Sequence, residues 1–253
     1  MSLSSQFWRI LFSLYFVGLT KQCGVSKFAD DPFTVRIVGG ENAEKGEFPW
    51  QVWKFRFPLF SLPHPIYWHV RVGDHHLKRQ EGSEKTYNVS HVFYNHWYRN
   101  YDNDIAMMRL KEPVELNDYV QPVCLPDKFD QFEGSECYAT GWGKVDFDKK
   151  GSPILQKVKV EVFDNSICSK VYSEQFKIPI LQWHLCAGTL AGGKGTCHGD
   201  SGGPLQCKKD GKWYLAGVTS FGSGCAKPGF PDVYTRLTHY FDWVNSNLKT
   251  FER

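Results

Sequence analysis

Gly199-Asp200-Ser201-Gly202-Gly203-Pro204 is the stretch on which the reading of this chain turns. A nucleophilic serine needs an exposed hydroxyl, backbone N–H groups aimed at the developing oxyanion, and small neighbours that let a substrate backbone approach. Glycines before and after Ser201 supply that freedom. In this reading the N–H groups of Gly199 and Ser201 form an oxyanion hole, commonly the largest electrostatic contribution to acyl transfer. Taken alone, the same six residues also read as a glycine-rich turn holding an incidental serine.

Outward from this loop, Val158 to Val162, Tyr214 to Ser220 and Val233 to Thr235 are short runs rich in β-branched and aromatic residues. Clusters of Gly, Pro, Asn and Asp separate them, which predicts an all-β chain, sandwich or barrel. At the C-terminus Tyr240, Trp243, Val244 and Leu248 recur at helical spacing behind Thr238, a candidate N-cap, so one closing helix is expected. No internal repeat or linker follows Ile37, and one compact unit over 37–253 is the domain assignment.

The chain has 253 residues, of which 42% are hydrophobic and 23% charged, enough to bury a sizeable core. A net charge of +3 with dispersed basic residues gives no argument for a nucleic-acid or membrane-surface partner. Residues 1–20 read as a secretory signal, polar up to Arg9 and then apolar from Ile10 to Leu19, a run too short to span a bilayer. Residues 21–36 read as a propeptide. Eight cysteines, none in a C-x-x-C arrangement, fit an oxidising compartment and four disulfides rather than zinc. Asn88-Val89-Ser90 is a glycosylation sequon or an unmodified turn or strand.

The serine loop joins Arg36-Ile37-Val38-Gly39-Gly40, Pro49-Trp50-Gln51-Val52, Asp104-Ile105-Ala106 and Thr140-Gly141-Trp142-Gly143. Together, and in this order, they resemble a zymogen of the trypsin/chymotrypsin family of serine endopeptidases, from Ile37 to about Leu248. The resemblance implies two antiparallel β-barrels with the active site between them, and a secreted, extracellular, monomeric protease. It implies Ser201 as nucleophile and Asp104 as the acid that orients a histidine. Asp104 by itself also reads as a solvated carboxylate, since Asp102 stands nearby. Arg36-Ile37 matches the activation bond, whose cleavage frees the Ile37 amine to pair with the buried Asp200 carboxylate. The family also implies the pairs Cys23–Cys124, Cys137–Cys207, Cys168–Cys186 and Cys197–Cys225, the first tethering the propeptide. Implied partners are protein or peptide substrates, an activating protease and protein inhibitors.

One segment departs from the family. Where relatives carry Cys-Gly-Gly-Ser and then Ala-Ala-His-Cys, this chain runs from Trp53 to His69 with no match. The catalytic histidine and both cysteines of one disulfide are gone, so the first barrel is expected to be incomplete. Loss of that histidine costs about a million-fold in kcat, leaving roughly 10³–10⁴ over water. His64 and His69 lie in the altered segment; His75, His76, His91, His96, His184 and His239 read as non-catalytic, and His198 as lining the cleft. An active enzyme, a protease fold kept for binding, and a splice form or faulty gene product all remain open.

By the same resemblance Gly195 lies at the base of the primary specificity pocket, with Gly222 and Asp232 on its walls. Asp232 either attracts a lysine or arginine side chain, the preferred reading because a buried carboxylate needs a partner, or shortens the pocket, or pairs with a local donor. No cofactor is implied. Asp74, Glu81 and Glu84 lie where some relatives hold calcium through oxygen ligands, and also read as a solvated charged loop.

Overall fold

The computed structural model describes residues 23–28, 40–56, 64–144 and 150–250. The signal assignment, Arg36, Ile37 and residues 57–63 of the altered segment lie outside the described residues.

The runs of β-branched residues become strands. They are β1 (Glu41–Asn42), β2 (Val52–Arg56), β3 (Trp68–Val72), β4 (Lys85–Tyr94), β5 (Ala106–Leu110), β6 (Glu136–Gly141), β7 (Gln156–Phe163), β8 (His184–Gly188), β9 (Pro204–Lys209), β10 (Lys212–Phe221) and β11 (Asp232–Arg236). In one sheet the order is β1-β7-β6-β9-β10-β11-β8, and β7 also pairs with β8. That pairing, Glu161 opposite Gly188 and Phe163 opposite Cys186, closes six strands into a barrel. Closure removes the sheet edges that would otherwise invite pairing with another chain. Inward-facing Val158, Val160, Val162, Leu185, Leu205 and Tyr234 fill the barrel.

The other sheet has four strands in the order β2-β3-β4-β5 and curls as a half-barrel around Val70, Val72, Tyr87, Val89 and Met108. Its edge is β2, the strand that leads into the altered segment. Opposite residues of an antiparallel pair point to one face, so Val52 and Lys54 share the inner face with their partners Val72 and Val70. Trp53 points the other way and meets Trp142 edge-on, ring centroids 5.7 Å apart.

The closing helix α2 (Phe241–Lys249) buries Val244. Its N-cap is Tyr240 rather than Thr238, with no side-chain capping bond. Besides this expected closing helix the chain has a second one that the sequence reading did not single out, α1, spanning Asn165–Phe176. Asp164 caps it by accepting from Ser166 N at 2.8 Å, satisfying one of the donors a helix start leaves open. Cys168 and Tyr172, one turn apart, dock it on the barrel. That short buried stripe is too narrow to give a strong helical period in the sequence.

Four disulfides form: Cys23–Cys124, Cys137–Cys207, Cys168–Cys186 and Cys197–Cys225. Around the first, Gly24 N donates to Pro122 O and Trp213 N donates to Gly24 O, each at 2.9 Å. Gly24 has φ +67°, and a Cβ there would meet Trp213 O at 2.3 Å, so only glycine seats this segment on the barrel.

Candidate active site

The loop from Cys197 to Pro204 is folded by its own backbone. Asp200 N donates to Cys197 O at 3.0 Å, Gly203 N to Asp200 O at 2.8 Å and Gly202 N to Thr219 O at 2.8 Å. Gly199 has φ +104°, and a Cβ there would crowd Gly143 Cα at 3.0 Å. The Asp200 side chain turns inward, where Gly143 N donates to Oδ1 at 2.8 Å and Cys197 N to Oδ2 at 3.0 Å. Burial pushes its pKa up to about 6, and those two N–H donors oppose the rise. A Cβ on Gly141 would lie 2.1 Å from Asp200 Oδ1, and one on Gly143 2.4 Å from its Cγ, which accounts for both glycines of Thr140-Gly141-Trp142-Gly143.

Ser201 lines a cavity of about 130 Å³ together with Val52, Trp53, Lys54, Trp142 and Gly199. Lys54 Nζ donates to the Ser201 carbonyl oxygen at 3.4 Å. Neither His64 nor His69 lines this cavity. His64 is exposed and caps the 3-10 turn Pro65–Tyr67, its Nδ1 accepting from Ile66 N at 3.4 Å. His69 sits on β3 opposite Phe55, on the face away from Val70. His198 is exposed, with Nδ1 3.8 Å and 3.6 Å from the sulfurs of Cys197 and Cys225. Those sulfurs are joined to each other, so this group offers no thiolate to a metal.

Asp104 is not in a solvated turn. It is buried just before β5, its Oδ2 accepting from Ser220 Oγ and its carbonyl from Thr235 Oγ1, both at 2.7 Å. Its neighbour Asp102 is engaged elsewhere, Oδ1 accepting from Trp183 Nε1 at 3.1 Å.

Asp232 opens β11 and is buried between Gly195 and Gly222, where added Cβ atoms would meet its Oδ2 at 2.9 Å and Oδ1 at 2.6 Å. Thr196 N and Oγ1 both donate to Oδ2, at 2.7 Å and 2.9 Å. Burial still pushes its pKa up to about 7, with the Asp200 charge adding to the rise. Oδ1 lies on the Gly222 side, while Oδ2 is held by Thr196.

The carboxylates of Asp74, Glu81 and Glu84 do not converge on a cation cradle among the described residues. Arg71 reaches Asp74 at 3.4 Å, His75 reaches Glu81 at 3.3 Å, and Glu84 accepts from Glu81 N and Gly82 N at 2.6 Å and 2.8 Å. Lys45 Nζ donates to Glu81 O at 2.9 Å, so the chain's own cations already stand in this loop. Asp74 Oδ1 and Glu81 Oε2 are buried without a hydrogen-bond partner, but the donor set does not fit calcium as gathered here.

Sequence reasoning missed Lys54 and Thr196.

The sequence model of the family described as Trypsin matches residues 65–244, beginning within the last residues of the altered segment. Testisin of Homo sapiens is 37% identical over 243 residues, covering 83% of this chain and 77% of its own length. Transmembrane protease serine 7 of Rattus norvegicus is 36% identical over 248 residues, and its Mus musculus counterpart 35% over 247. The chain spans 28% of the length of each of these two, and 85% and 84% of the chain is covered.

Proposed function

The chain belongs to the trypsin family of serine proteases, and on that premise we propose that it is a secreted endopeptidase zymogen cutting peptide bonds through an acyl-enzyme on Ser201. Family membership makes it a hydrolase acting on proteins, by chemistry that calls for no cofactor. Cleavage after Arg36 is the activating step, Asp104 is the orienting acid, and Gly199 N and Ser201 N hold the oxyanion. The observation that carries this reading is Asp200, a nearly dry carboxylate in the serine loop that, among the described residues, is held by the N–H groups of Gly143 and Cys197. A buried carboxylate gains several kcal/mol from an ammonium partner, and the Ile37 amine freed by cleavage is that partner. A loop built only to bind has no use for such a latch.

The four disulfides support export to an oxidising compartment. No described helix is long and apolar enough to cross a membrane; two relatives carry "transmembrane" in their names. Asp232 supports a preference for lysine or arginine before the cut. An activating protease and protein inhibitors complete the expected partners. A second reading, a fold retained for binding, draws on the absence of any histidine from the lining of the Ser201 cavity.

The test is hydrolysis of a fluorogenic peptide by the purified protein before and after cleavage at Arg36. Turnover only after cleavage is expected, and none in a folded, cleaved protein would leave the binding reading. On the same sample, non-reducing electrophoresis will show one band and reducing electrophoresis two, because Cys23–Cys124 tethers the propeptide. A light chain released without reductant would refute the tether.

A further inference from the structure

Asparagine is depleted in strands, where its short amide packs poorly, yet Asn88 stands inside the ten-residue strand β4. Alternation decides where it points. Tyr87 and Val89 on either side are buried in the half-barrel, and Asn88 between them is exposed on the outer face. Its main chain is paired with His69 on β3, and its carbonyl accepts from Lys111 N at 2.9 Å. Its side-chain amide, in contrast, takes part in no hydrogen bond among the described residues. Val89 and Ser90 complete an Asn-x-Ser sequon, the one such sequon in the 253 residues.

We propose that Asn88 carries an N-linked glycan on the outer face of the half-barrel; this rests on reading the chain as exported. In the transfer, Asn88 Nδ2 bonds to the anomeric carbon of an oligosaccharide carried on a lipid pyrophosphate, as that carbon's bond to the pyrophosphate oxygen breaks. The electron pair leaves with the lipid pyrophosphate, and Nδ2 gives up one proton. The fold has room for the product. Thr86, on the same face, is exposed, and Asn88 does not line the Ser201 cavity, so the sugar leaves into solvent rather than into the cleft. The fold also sets the order of events. Ser90 Oγ, the sequon hydroxyl, donates to Arg109 O at 3.0 Å and to Leu110 O at 3.1 Å. Both carbonyls belong to β5, whose pairing with β4 shifts register between Val89 and His91, around Ser90. That pairing occupies the hydroxyl and fixes the sequon as strand, so the glycan is added before β5, which follows β4 in the chain, closes on it.

The test expresses the full chain in a mammalian cell line and takes the intact mass of protein from the medium before and after peptide-N-glycosidase. One step down in mass, equal to a single glycan, is expected, with Asn88 converted to aspartate in the mapped peptide. Asn88→Gln and Ser90→Ala are expected to show no step, and Ser90→Thr, which keeps the sequon, to show it. The order is read with a solubilised oligosaccharyltransferase and its lipid-linked donor. The reduced, unfolded chain is expected to be modified there, and the refolded chain to stay unmodified. Wild-type protein recovered from the medium without a glycan would overturn the site and leave the export reading standing. Modification of the refolded chain would overturn the order of events. A chain retained in the cytosol would overturn export and the glycan with it.

Discussion

Asp200→Ala will leave the chain cleaved after Arg36 as inactive as the uncleaved chain. Removing one member of a buried ion pair costs about 3–5 kcal/mol, because the other is left charged and dry. Spent on the competent loop, that is roughly a 10²–10⁴-fold fall in kcat/KM. The sign with pH follows from the same carboxylate. Before cleavage its pKa is raised to about 6, so the folded chain holds the proton more firmly than the unfolded one and stability falls as pH rises toward 6. An ammonium partner removes that penalty, so cleavage should raise Tm more at pH 7 than at pH 4. Peptide hydrolysis by the cleaved variant, with melts at both pH values, checks the pair; an active Asp200→Ala enzyme would end the latch mechanism.

Asp232→Asn will stabilise the protein at pH 8 and erase a preference for lysine or arginine before the cut. With the folded pKa near 7 and an ordinary value near 4, the folded state binds the extra proton across that window. Stability therefore falls as pH rises through it, and by pH 8 the buried charge costs up to about 4 kcal/mol. Asparagine keeps an acceptor for the Thr196 N–H and hydroxyl and carries no charge. Melts of both proteins should agree at pH 4 and separate at pH 8. In the wild type, kcat/KM for lysine relative to alanine substrates should rise roughly tenfold from pH 6 to pH 8 as the carboxylate ionises. Equal melts at pH 8, or an unchanged preference in the variant, would show that Asp232 already has a cationic partner or plays no part in selection.

The strands around Val158, Leu215 and Val233 were legible because alternation and β-branching survive any tertiary context. Helix α1 was not, since only Cys168 and Tyr172 are fully buried and the polar and charged residues between them dilute the apolar period. The barrels themselves came from resemblance, as period two does not say how strands close. The serine loop was legible from Gly199 to Pro204, but its donors, Gly143 and Cys197, are distant or backbone groups that carry no side-chain signature. Lys54 escaped because the altered segment has no counterpart to align.

The most direct measurement of the central claim is intact-mass analysis of the protein treated with a fluorophosphonate probe, before and after cleavage at Arg36, beside Ser201→Ala. One adduct, on Ser201, formed only after cleavage and missing from the variant, is the expected result. A folded, cleaved protein that gains no adduct would contradict it.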